Sequence, residues 1–168
     1  TQRRLESDLA RLAETAASGA IAALFTCYGI GIATRALGGE VSRAYPEDTG
    51  PTTVTVTDAG RRDPLFGPLA DTFHALTAHK EGTERMPAGA VLLATGESCP
   101  VQAYRVGESL YATQFHPEPT GRAFTERMAV YRDDGYFAAH DYDRIAATVL
   151  AASLTEPPRI LRAFATAF

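Results

Sequence analysis

Leu24-Phe25-Thr26-Cys27-Tyr28-Gly29-Ile30-Gly31 decides how this chain is read. The apolar run from Ala20 to Phe25 predicts a short buried strand. A cysteine follows, then closely spaced glycines, then helical spacing through Leu37. Strand, sharp turn and helix make up a nucleophile elbow. Backbone N–H groups at the start of such a helix face the side chain at the turn. Their partial positive charge favours a thiolate and can hold a developing oxyanion. Gly29 allows the backbone to turn tightly. Taken alone, Cys27 would read as a small core residue.

A second stretch gives the cysteine a chemistry. Tyr111-Ala112-Thr113-Gln114-Phe115-His116-Pro117-Glu118 is a strand that ends in His-Pro-Glu. A cysteine nucleophile needs a base, and the base needs an orienting acceptor. His116 and Glu118 lie two apart in extended chain, so both lean to one side.

Together these stretches resemble the class I glutamine amidotransferases and their Cys-His-Glu triad, in particular the glutaminase domain of GMP synthase and its free-standing relatives. The likeness runs from about Leu24 to Glu118 and includes Ala36-Leu37-Gly38-Gly39 and Asp63-Pro64-Leu65-Phe66. It implies an α/β fold: a flavodoxin-like three-layer sandwich with a mostly parallel central sheet and an antiparallel extension. It assigns Cys27, His116 and Glu118 to catalysis and the Tyr28 backbone N–H to the oxyanion hole. Gly29, Gly31, His79 and Lys80 fall at substrate-binding positions, with His79 and Lys80 in a loop of residues 78–82. Strands and an oxyanion-loop glycine precede this point in the family. Nothing before the first helix supplies them, so residues 1–168 are expected to be one domain that is incomplete at its N-terminus.

Two positions depart from the family pattern. Phe25 stands two before the cysteine, where glycine is usual, which bears on elbow packing. Gly31 stands four after it, where a substrate-contacting glutamine is usual, which bears on substrate choice.

The rest of the chain supports one α/β domain. Leu5, Leu9, Leu12 and Ala16 predict an amphipathic helix over residues 4–17. Strands are expected at residues 40–44, 53–57, 73–77, 91–95, 101–106 and 109–115, and helices at 121–131, 142–154 and from Pro157 onward. Pro46, Asp48, Gly50 and Pro51 mark a loop, and Gly107-Glu108 a tight hairpin. His74 and His140 read as structural or surface residues.

At 168 residues with net charge −4, the chain offers no electrostatic footprint for nucleic acid or anionic membrane. No apolar run is long enough to span a bilayer. Two cysteines suggest a reducing, cytoplasmic setting. Cys99, before Pro100, reads as a passive thiol; the alternative, a Cys27–Cys99 disulfide, would disable the nucleophile. No metal-ligand spacing and no Gly-rich phosphate loop occur, so neither metal nor organic cofactor is expected.

Three functions follow from the resemblance and its departures. The first is release of ammonia from glutamine through a cysteinyl thioester, with a separate synthetase as the partner that accepts it. The second is hydrolysis of a larger γ-glutamyl amide or peptide by the same triad, which Gly31 favours. The third is a non-catalytic module that keeps the fold.

Overall fold

Side chains alternate between two faces along the strands that frame the elbow. The computed structural model describes residues 2–131 and 135–168. In it, β1 (Ala23–Thr26) lies parallel to β8 (Leu110–Thr113). Phe25, Leu110 and Ala112 point to one face, where they meet Ala13, Ala16, Ile30 and Ala33. Those residues belong to α1 (Gln2–Ala17) and α2 (Tyr28–Ala36). Leu24 and Tyr111 point to the other face, toward Ile160 and Phe164 of α6 (Pro157–Ala167). Helices therefore cover both faces of a mixed sheet, which is the α/β class expected.

The six-stranded sheet has the order β1-β8-β7-β6-β3-β4. Here β3 spans Glu47–Val56, β4 Thr72–His79, β6 Val91–Thr95 and β7 Ala103–Val106. Among the described residues, β1–β8 is the parallel pair, and the strands beyond β8 form the antiparallel extension. The sheet curls until the chain after β8 meets β4, where His116 N–H donates to the Leu76 carbonyl at 2.8 Å. That bridge brings the end of β4 beside the end of β8. On this side α4 (Gly121–Val130) and α5 (Tyr142–Ala151) pack Phe124, Met128, Ile145 and Val149 around Leu76. A two-stranded sheet of β2 (Glu40–Ser42) and β5 (Gly82–Arg85) stands beside α2.

Two expectations need correction. Residues 46–51 are not a loop: β3 begins at Glu47, with a register shift between Glu47 and Gly50. Proline is tolerated at Pro51 because this part of β3 pairs with β4 on one side, while β6 joins only at Thr55 and Val56. In α1 the buried stripe is Ala13 and Ala16, with Leu9 half-buried, whereas Leu5 and Leu12 are exposed. Small residues let α1 lie close on α2, so the large leucines turn outward. Asp63 of the Asp-Pro-Leu-Phe motif is buried and structural. It accepts from the Leu65 N–H at 2.9 Å and pairs with Arg105 at 3.0 Å. It is held by α3 (Asp58–Arg61) and the turn after it.

Candidate active site

Cys27 sits between β1 and α2 with φ 48° and ψ −106°. It is the one non-glycine residue with positive φ among the described residues. A conformation of this kind costs about 1–3 kcal/mol and persists only where its surroundings enforce it. Here the Cys27 N–H donates to the Thr113 carbonyl at 2.9 Å, and its own carbonyl accepts from Ile30 N–H at 3.1 Å. The first bond ties the elbow to β8 three residues before His116. The amides of Tyr28 and Gly29 that open α2 have no helical carbonyl to bond.

Phe25 fits at the elbow because Gly29 leaves room for it. A Cβ on Gly29 would lie 3.3 Å from Phe25 Cβ and Cδ1. The bulky residue before the cysteine is thus paired with the absence of a side chain two residues after it, and Phe25 is buried.

His116 Nδ1–H donates to Glu118 Oε1 at 2.7 Å, and the ring lies close enough to Cys27 for the sulfur to act on its charge. Burial pulls the imidazole pKa down, but the neighbouring Cys27 sulfur and Glu118 carboxylate outweigh it and raise the value to about 9. The same burial acts to raise the Glu118 pKa, yet the hydrogen bond and charge of His116 hold it below the ordinary carboxylate range. Phe124 meets the His116 ring edge-on at 6.4 Å, and Arg127 lies 3.7 Å from Glu118. Cys27, His116 and Glu118 therefore meet at one sheet edge.

Two cavities border Cys27. The first, about 370 Å³, includes His116 in its wall along with Thr49, Ala78, Phe124, Arg127, Met128, Tyr131, Tyr136 and Phe137. The second, about 300 Å³, lacks His116 and is walled by Gly31, Arg35, Val41, Arg43, His79, Lys80, Glu81 and Gln114. Cys27, Tyr28, Ala78 and Tyr136 line both.

The remaining expected residues lie around the second cavity. Gly31 faces it, and a Cβ there would be 3.8 Å from Arg35 Nη1, so the Arg35 side chain runs past this position. Arg35 and Arg43 both reach Glu81, at 3.0 and 3.7 Å. Lys80 Nζ stacks 5.5 Å over the Tyr136 ring. His79 ends β4 rather than lying in a loop. Its Nε2 donates to Glu47 Oε2 at 2.8 Å and its Nδ1 to the Glu81 carbonyl at 2.9 Å. The Tyr28 side chain points away, its hydroxyl donating to Glu6.

The spacing in the sequence did not single out Arg35, Arg43, Glu81 or Gln114. Arg35 carried a usable signal, since it lies one helical turn beyond Gly31. Gln114 is buried, and its Oε1 has no hydrogen-bond partner among the described residues.

Glu47, His79 and Cys99 form a second cluster whose potential ligand atoms all lie within 4.8 Å of one another. Glu47 also accepts from Gln102 Nε2 at 2.8 Å and Thr52 Oγ1 at 2.6 Å. Burial, and then the charge of Glu47, push the Cys99 thiol up to about 12. A protonated thiol beside a carboxylate already engaged by hydrogen bonds is a structural core cluster, although its donor set could ligate a metal. Both cysteines are free, which removes the disulfide alternative.

The model of the glutamine amidotransferase class-I family matches residues 6–131, and the chain belongs to that family. GMP synthase [glutamine-hydrolyzing] of Thermosipho melanesiensis is 30% identical over 103 residues, covering 61% of this chain and 19% of that protein. The Bacillus mycoides enzyme of the same name is 34% identical over 93 residues, covering 55% of this chain and 18% of its own. The chain thus spans about a fifth of these relatives. A glutamine amidotransferase structure from Thermotoga maritima superposes with a TM-score of 0.79 at 21% identity, covering 97% of this chain and 68% of that one. One from Methylobacillus flagellatus gives 0.69 at 18% identity, covering 94% and 69%. These two establish the shared fold. No helix among the described residues is long and apolar enough to cross a membrane.

Proposed function

We propose that this protein hydrolyses the side-chain amide of glutamine or of a γ-glutamyl conjugate through a cysteinyl thioester. The observation that carries this is the His116 ring, held between Cys27 at a strained elbow and the Glu118 carboxylate. The Cys27 thiolate adds to the amide carbon. The Tyr28 backbone N–H stabilises the oxyanion, a contact of a type worth roughly 3 kcal/mol. His116 gives its proton to the leaving nitrogen as the C–N bond breaks. The neutral ring then takes a proton from water, which cleaves the thioester to free glutamate and thiol. Glu118 fixes the tautomer throughout.

The second cavity suits the glutamyl head. Arg35, Arg43 and Lys80 offer cations to its α-carboxylate, while Glu81 and Gln114 Oε1 offer acceptors to its ammonium group. GMP synthases that hydrolyse glutamine are relatives of this chain, so a separate synthetase site is the proposed destination of released ammonia. The shared cytoplasmic setting of that chemistry is part of the same proposal. Retention of all three groups in contact weighs against a purely non-catalytic module. Ammonia release from glutamine by the full-length protein tests the reading. A Cys27→Ala rate equal to wild type would reject it.

A further inference from the structure

The two cavities divide the substrate, and the division rests on the hydrolytic reading above. A thioester mechanism needs the general acid beside the departing nitrogen, because that atom takes its proton from the imidazole. His116 lines the first cavity and not the second. The departing amine therefore leaves toward the first cavity, and the glutamyl head occupies the second, where the charged groups stand.

The first cavity is built for more than ammonia. Its volume is about 370 Å³, against about 30 Å³ for a water-sized molecule. Phe124, Met128, Tyr131, Tyr136 and Phe137 supply an apolar and largely aromatic wall. Among the described residues the charged side chains on that wall are Arg127, which is already paired with Glu118, and His116 itself. Gly31 and Arg35 line the cavity on the glutamyl side, where the side chain of Arg35 runs past Gly31.

We infer that the physiological substrate is a γ-glutamyl amide of an apolar, aryl-bearing amine, with its ring in the cavity beside His116. The Cys27 sulfur bonds the γ-carboxyl carbon, the bond from that carbon to nitrogen breaks, the amine leaves with the His116 proton, and water completes release of glutamate. No further reactant is needed.

The test compares γ-glutamyl-phenethylamide, γ-glutamyl-ethylamide and glutamine on the full-length protein. The first two amines are of similar basicity and differ in apolar bulk. The expected kcat/KM for the phenethylamide exceeds those of the other two by about tenfold or more, the discrimination an apolar pocket can give. In Tyr131→Ala and in Phe137→Ala the phenethyl-to-ethyl ratio falls toward one. Binding of the same compounds to Cys27→Ala, read by calorimetry, follows the same order without requiring turnover. Equal turnover of all three, or preference for glutamine, overturns the inference and leaves the hydrolytic reading intact. No turnover with preferential phenethylamide binding overturns the hydrolytic reading and leaves the apolar subsite. Neither turnover nor preferential binding overturns both.

Discussion

This fold holds a cysteine, a histidine and a glutamate together twice. Cys27, His116 and Glu118 gather at an open sheet edge. Cys99, His79 and Glu47 gather in the interior, with both the His79 and Glu47 side chains almost wholly buried. The difference teaches that composition does not make a nucleophile. At the edge, the imidazole bonds one carboxylate and lies beside Cys27, and two cavities border that residue. In the interior, His79 is committed to Glu47 and a backbone carbonyl, and burial near a carboxylate keeps Cys99 protonated. Position on a strained turn beside two cavities separates Cys27 from the buried Cys99.

Substitution of the two cysteines is the widest separation expected. Cys27→Ala lowers amide turnover by at least about 10³-fold. Cys99→Ala leaves turnover at the wild-type level. Equal losses from both would erase the distinction between the clusters.

The two glutamates sharpen it next. Glu118→Gln removes the charge that orients and stabilises the imidazolium, and kcat falls by about 10²–10⁴-fold while the melting temperature moves little. Glu47→Gln removes a buried carboxylate that bonds His79, Gln102 and Thr52 and costs about 1–3 kcal/mol of stability in denaturant unfolding. The reverse pattern would mean that the interior cluster is the working one.

Titration follows. His116 has a folded pKa of about 9, above its ordinary 6.5. Its stabilising contribution is therefore complete below about 6.5 and is lost as pH rises through about 9. Glu118 is held below its ordinary value, so its contribution is present above about 4.5 and is lost on further acidification. Amide turnover should fall above about pH 9, where His116 no longer carries a proton for the leaving group. Turnover still rising beyond pH 10 would remove His116 as the acid.

Tyr28→Phe gives the smallest effect. Its hydroxyl bonds Glu6 on an exposed surface, and the oxyanion contact uses the backbone. Stability should change by no more than about 0.5 kcal/mol, with kcat unaltered.

How much of this could be read in the sequence depended on range. The elbow and the His-Pro-Glu turn are local, so strand, glycine and helix signals placed Cys27, His116 and Glu118 correctly on their elements. The partnership of Phe25 with Gly29 is also local, but it depends on side-chain volume across a turn, which periodicity does not carry. The interior cluster was invisible because Glu47, His79 and Cys99 come from three separated segments joined by sheet curvature. Gly50 and Pro51 read as loop because residue preference cannot tell that one side of β3 is unpaired there. Leu5 and Leu12 misled for a related reason, since helical spacing fixes a face but not which face a neighbouring helix takes.

The central claim is that Cys27, and not Cys99, is the nucleophile that glutamine-like compounds reach. Peptide mapping by mass spectrometry after treating the full-length protein with a chloroketone analogue of glutamine tests it directly. The account predicts one adduct per chain, on Cys27, formed slowly or not at all in His116→Ala and suppressed by excess γ-glutamyl amide. An adduct on Cys99, or labelling of Cys27 indifferent to both His116 and competing amide, would contradict it.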